Sequence, residues 1–275
     1  FGLTQILKEH KGKLRQIRML SVNELKKKYK GAALGPLWAL IKPTFTLFIL
    51  WFAFEIGLKR NGGVHFINGK YTQFVFMLTG YVPWFYISEC IVGGSRSIRS
   101  NKQFVTKLSF PVSNIMTFTS LSGLYIHILL CAIMYVVLLC LGFGPSIYNL
   151  QFIYYALMMY FFFLVLSWMT APLSAFSKDF ENLINSIITG LFWLSVIFWN
   201  TYDISPLWLR KLMYFNPINY FVNGYRKSFL TDTFIFDSNY TTETMVFYAE
   251  FIFIDRKSTR LNSSHMSESR MPSSA

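Results

Sequence analysis

The sequence predicts an all-α polytopic membrane protein: a six-span helical bundle with a truncated sixth span, an N-terminal interfacial amphipathic helix, and short re-entrant helices between spans five and six. Three observations predict it. Of 275 residues, 53% are hydrophobic and only 14% charged, whereas soluble domains carry about 25% charged residues. The apolar residues gather into runs of bilayer length. The basic excess of +13 falls ahead of the first run and in the loops, where it suits anionic lipid headgroups rather than nucleic acid. This composition excludes a disordered, collagen-like or disulfide-stapled chain, and a mean hydropathy of +0.38 argues against a water-soluble enzyme.

Residues 1–30 are predicted to form a cytoplasmic interfacial helix. Leu3, Leu7, Leu14 and Ile17, then Val22, Leu25 and Tyr29, recur at three- and four-residue steps with lysine and arginine between them, as in a helix lying along a membrane surface. The segment lacks the compact apolar core and cleavage site of a signal peptide. The chain opens on Phe1, so native sequence is expected ahead of it. Gly31 and Gly35 mark either a close helix approach or a hinge into the first span.

Residues 31–254 are predicted to form the transmembrane domain. The first span, Pro36 to Gly57, reaches ~33 Å as a helix, enough for a hydrocarbon core of about 30 Å, and Lys42 and Pro43 bend its start. The second, Tyr71 to Val92, contains Gly80, Pro83 and Glu89. A polar connection, Ser95 to Asn114, carries Arg96, Arg99, Lys102 and Lys107 without an acid. The third span, Ile115 to Leu141, includes His127 and turns at Gly142–Phe143–Gly144–Pro145 into a fourth, Leu150 to Ala171. After the loop Ser177 to Asn182 comes a fifth, Leu183 to Trp199. Thr201 to Glu243 is too polar to cross as one helix, and Asn216–Pro217 sets a break inside it, with asparagine as cap and proline opening the next helix. Pieces this short are either re-entrant or lie on the headgroups as an amphipathic loop. The last apolar run, Thr244 to Ile254, is about half a bilayer long. Residues 255–275, with seven serines, look non-native, like translated adapter sequence, and are set aside.

Loop lysines and arginines number fourteen on the N-terminal side and seven on the other, which places the N-terminus in the cytoplasm. Cys90, Cys131 and Cys140 lie in apolar stretches and are expected to be small buried hydrophobes. No phosphate-cradling glycine loop, nucleophile elbow, zinc-ligand cluster or carboxylate pair occurs, so no catalytic, cofactor or metal residue is assigned. Glu89 either lines a polar path, pairs with a cation, or sits at the interface. His127 stands without acidic neighbours at helical spacing, which favours a structural role over a proton relay. Most aromatic clusters suit interfacial belts. Trp38, Trp84, Phe85, Tyr86 and Glu89 are the candidate channel-lining residues.

The pieces Lys28–Tyr29–Lys30–Gly31, Leu34–Gly35–Pro36–Leu37–Trp38 with Pro43, Gly80–Tyr81–Val82–Pro83–Trp84–Phe85, Asn101 to Pro111, Lys178–Asp179–Phe180, and Asn216–Pro217 to Tyr225–Arg226 resemble a family, in order and spacing. It is that of the membrane subunits of type-2 ABC exporters moving polysaccharide or polyol-phosphate polymers, such as O-antigen, capsule and teichoic acid. The resemblance covers most of residues 15–254. It implies a multi-pass homodimer in the bacterial cytoplasmic membrane, docked on a separate cytoplasmic ABC ATPase that uses ATP and Mg, and acting on a lipid-linked glycan among membrane lipid. It further implies ATPase coupling through Arg96, Arg99, Asn101, Lys102, Lys107, Phe110 and Pro111, and an outer gate of Asn216, Pro217, Tyr220, Tyr225 and Arg226. Val112–Ser113 departs from the charged pair the family often carries after Phe-Pro. A type-2 permease for a drug, peptide or lipid, a membrane-embedded transferase for lipid-linked sugars, and a scaffold or channel subunit are the rival readings.

Overall fold

A computed structural model describes residues 9–58, 62–67, 69–106, 111–235 and 241–268. Leu3, Leu7, Lys59, Arg60, Lys107 and Phe110 lie outside the described residues.

Helix α1, Leu14–Lys28, carries three lysines in its last turn, where they suit the negative end of the helix dipole. It buries Ile17 and Ser21. Both Gly31 and Gly35 then adopt positive φ, 85° and 49°, so the pair works as a hinge that β-carbon-bearing residues would resist. A single 3-10 turn leads into α2, Trp38–Trp51, which holds Pro43 internally and ends in a π-turn, Phe52–Gly57. A small antiparallel hairpin, β1 Val64–Phe66 and β2 Gly69–Tyr71, comes next.

Helix α3, Gln73–Ser100, is the axis of the bundle; Thr72 caps it by accepting from the Val75 amide. It packs against α2, α5 (Val112–Cys140), α6 (Gln151–Phe176), α7 (Lys178–Leu194) and α9 (Pro217–Leu230). The short α4, Lys102–Thr106, lies just beyond its end. Small residues make this centrality possible: Gly94 of α3 meets Ser167 of α6, and Gly123 of α5 meets Tyr86 of α3. Helix α8, Leu207–Tyr214, precedes α9, and α10, Thr241–Glu268, packs on α6 and α9.

Among the described residues, four stretches are long and apolar enough to cross a membrane: Gly35–Gly57, Gln73–Ser100, Val112–Cys140 and Ile147–Phe176. The second span runs eight residues past its predicted end at Val92, because Gly94, Ser95 and Ser97 are buried and keep the helix packed. The fifth segment starts earlier than predicted, at Lys178, and its helix stops at Leu194. Ser195 to Asn200 is not helical, and it turns the buried side chains of Val196, Ile197 and Phe198 into the core. Helix α10 continues past Ile254, where the apolar run ends. Cys90 and Cys131 are buried, but Cys140 is exposed. An apolar stretch does not say which face of its helix meets protein and which faces outward.

Candidate functional site

Arg96 and Arg99 stand three residues apart on α3 and therefore share a face. Both reach Glu181: Arg96 Nε lies 2.7 Å from Oε1 and Arg99 Nη1 lies 3.2 Å from Oε2. Glu181 is in the first turn of α7, where a carboxylate also suits the positive helix end, and Ser177 caps that helix through the Asp179 amide. Arg99 donates as well to the Ser174 carbonyl in the last turn of α6, satisfying an acceptor that the helix leaves open. Arg96 donates to the Asn185 amide oxygen at 3.1 Å. One carboxylate thus gathers α3, the α6 end and the α7 start. Both arginines ride on the last turns of α3 itself.

Beside this cluster, the buried Asn101 terminates α3 and receives Lys27 Nζ at 3.4 Å. Lys28 donates to Glu89 in an ion pair that ties α1 to α3. Burial, with the Glu89 carboxylate adding to it, pushes the Tyr29 phenol up to about 12. Lys102 is exposed on α4, and Pro111 immediately precedes α5.

Trp38, Phe85 and Glu89 share a groove of 540 Å³ with Lys28 and Lys42. The other two candidate lining residues point elsewhere. Trp84 packs on Phe192, with ring centroids 5.4 Å apart, and Tyr86 packs on His127 at 5.1 Å, only 1% exposed. Three consecutive aromatics on a helix lie about 100° apart, so they face three different surroundings.

At the far end of α3 lies the Asn216–Pro217 break. Asn216 accepts from the Ile218 amide at 3.0 Å and Pro217 opens α9, as the spacing predicts. Every residue from Ile218 to Leu230 is buried. Tyr220 stacks on Phe247 at 4.3 Å, and Tyr225 meets His127 Nε2 at 2.6 Å. That contact, with Cys131 Sγ at 3.4 Å, makes His127 a hydrogen-bonded packing residue.

Arg226 is fully buried, and no acid pairs with it among the described residues. Its guanidinium donates to the Phe76 carbonyl at 3.1 Å, the Val196 carbonyl at 2.5 Å and the Ile197 carbonyl at 2.8 Å, and its carbon lies 3.4 Å from the Phe76 ring centre. A charge so deep is tolerable only with its donors filled, and the planar fork fills them across α3, α9 and the segment after α7. Next to it, Lys227 pairs with Glu243 at 3.3 Å, both nearly sealed from solvent.

Sequence reasoning missed Glu181 and Glu243 as partners. One signal was present: a connection carrying four cations and no acid needs counter-charge from elsewhere. Among the described residues no cluster of histidine, cysteine, aspartate or glutamate could hold a metal.

Residues 15–230 match the family described as ABC-2 type transporter. The chain is similar to the O-antigen export system permease protein RfbA of Myxococcus xanthus, at 25% identity over 207 residues covering 75% of this chain and 76% of that protein. It is similar as well to the protein of the same name from Klebsiella pneumoniae, at 26% identity over 225 residues covering 78% and 80% of the two chains.

Proposed function

We infer the function from a premise now established, that this chain belongs to the ABC-2 type transporter family: it serves as the permease subunit of an exporter that moves a lipid-linked polysaccharide across the cytoplasmic membrane. In this reading two copies form the passage, each with its N-terminus in the cytoplasm and each docked on a separate ABC ATPase. Helix α7 supplies a fifth crossing beside the four long apolar stretches, the apolar start of α10 opens a truncated sixth, and α8 and α9 form a re-entrant gate at the outer side. The exposed Leu183, Ile187, Trp193 and Leu194 of α7 suit a second copy or lipid. The names of the similar proteins support polysaccharide as cargo.

The observation that carries this reading is that one helix serves both ends. Helix α3, ~42 Å long at 28 residues, holds the Arg96–Arg99–Glu181 cluster at its C-terminal end and receives Arg226 of α9 near its N-terminal end. Closure of the partner ATPases on ATP pushes the cluster. Because α3 is continuous and Arg226 is pinned to its backbone, α9 moves with it, and the two subunits part for the cargo. ATP and Mg act in the partner; this chain transmits and gates.

The test is reconstitution of the chain with an ABC ATPase partner, in vesicles holding a lipid-linked glycan. Nucleotide-dependent translocation is expected. Alanine at Arg99, Lys102 and Lys107 is expected to lower transport-coupled ATPase activity while leaving membrane insertion intact. Cargo movement by the chain without any ATP-hydrolysing companion overturns the reading.

A further inference from the structure

Two grooves meet beside α1. The first, 540 Å³, has an apolar wall of Trp38, Ile41, Phe45 and Phe85. The second, 630 Å³, is lined mainly by charged and polar residues, Lys27, Arg96 and Ser97 among them. They share Lys28, Lys42 and Glu89, so an apolar trough runs directly into a basic one. Four cations, Lys27, Lys28, Lys42 and Arg96, stand there against two acids, Glu24 and Glu89. Both acids are already engaged, by Lys27 at 3.8 Å and by Lys28. Lys42 has no acid partner among the described residues. Ser97, 1% exposed, lines the same groove with a hydroxyl oxygen that meets no partner. Phe45 is 61% and Trp38 44% exposed, so the apolar trough opens outward from the first span.

We propose that this paired groove binds a phosphate-headed lipid, its phosphate at the basic junction of Lys28 and Lys42 and its chain along Trp38, Phe45 and Phe85. Lys27, Lys28 and Arg96 already meet Glu24, Glu89 and Glu181, so Lys42 is the surplus charge that selects an anion. The apolar half selects a chain, which a free phosphate lacks. A zwitterionic headgroup brings its own cation and gains less from the surplus. The site arises from the chain's place in a membrane and is expected whether or not a polysaccharide is the cargo.

The test uses the full chain in phosphatidylcholine nanodiscs and the fluorescence of Trp38, isolated by subtracting a Trp38→Phe variant. Phosphatidylglycerol with brominated tails is expected to quench Trp38 at lower mole fraction than phosphatidylcholine with brominated tails. Lys42→Gln is expected to weaken that preference about fivefold, as for loss of one cation near an anionic lipid surface. Unlabelled polyprenyl phosphate is then added as competitor. Stronger competition than by unlabelled phosphatidylglycerol identifies a carrier lipid as occupant, and equal competition identifies bulk anionic lipid; either upholds a lipid phosphate site. Equal quenching by both brominated lipids, an unchanged preference in Lys42→Gln, or relief of quenching by inorganic phosphate at matched concentration overturns the proposal. Failure of transport in the reconstituted complex leaves these readings untouched, so the two ideas fail separately.

Discussion

A β-carbon built on Gly80 lies 2.6 Å from a terminal nitrogen of Arg226, so the absence of a side chain at residue 80 is what lets the guanidinium reach the Phe76 carbonyl. The glycine and the arginine are 146 positions apart, on α3 and α9, and they act as socket and plug. The joint is made of backbone acceptors rather than a counter-charge, which makes it insensitive to salt screening but demanding in shape.

Gly80→Ala and Arg226→Ala are therefore expected to damage the same joint. Removing the guanidinium leaves the buried Val196 and Ile197 carbonyls short of a donor, at a cost of about 1–3 kcal/mol each. Thermal unfolding in detergent should show both variants lowered, with the double variant little worse than the poorer single. Independent, additive losses would mean that the two residues do not share one joint.

Gly94→Ala and Gly224→Ala are expected to destabilise by about 1–3 kcal/mol each, as for overpacked cores. Their β-carbons would overlap Ser167 Oγ and a Tyr155 ring carbon, well inside van der Waals contact. Gly123→Ala, whose nearest neighbour is 3.5 Å away, is the control. It should be neutral or stabilising by up to about 1 kcal/mol through helix propensity. The comparison is read from unfolding midpoints of the three variants side by side.

The Arg96–Glu181–Arg99 cluster is partly exposed, so its loss is expected to cost little stability, about 0–1 kcal/mol per pair. Its value lies in position. Glu181→Gln should leave the melting temperature nearly unchanged while lowering nucleotide-driven transport and the ATPase rate of the complex. A variant that unfolds readily but, when folded, transports normally would contradict this assignment.

Glu89→Met releases Lys28 and with it one of the ties between α1 and α3. Faster amide hydrogen exchange is expected in the last turns of α1, with α3 protected as before. Equal protection of α1 in both proteins would show that burial of Ile17 and Ser21 suffices to hold the helix.

Tyr225→Phe removes the partner 2.6 Å from His127. The buried imidazole nitrogen then keeps only the weak Cys131 Sγ contact at 3.4 Å, at a cost of about 1 kcal/mol. Since His127 serves packing here, transport per folded molecule is expected to keep its pH profile in this variant. A shifted profile, measured between pH 5 and 8, would reassign His127 to proton movement.

The sequence by itself determined the membrane class, apolar stretches long enough to cross a bilayer, and the Asn216–Pro217 break, and it left Gly31 and Gly35 open between a close helix approach and a hinge. Each is a local property, set by run length, by the hydrogen-bonding deficit of helix ends, or by the steric reach of one residue, and local properties can be read along a chain. Only the tertiary structure decided that Arg96 and Arg99 answer to Glu181, that Arg226 is held by carbonyls above Gly80, and that Tyr86 faces His127 while Phe85 lines a groove. Those outcomes depend on which helix faces meet across scores of intervening residues. A carbonyl acceptor has no residue type to announce it, and a uniformly apolar helix has no periodicity to reveal which side is buried.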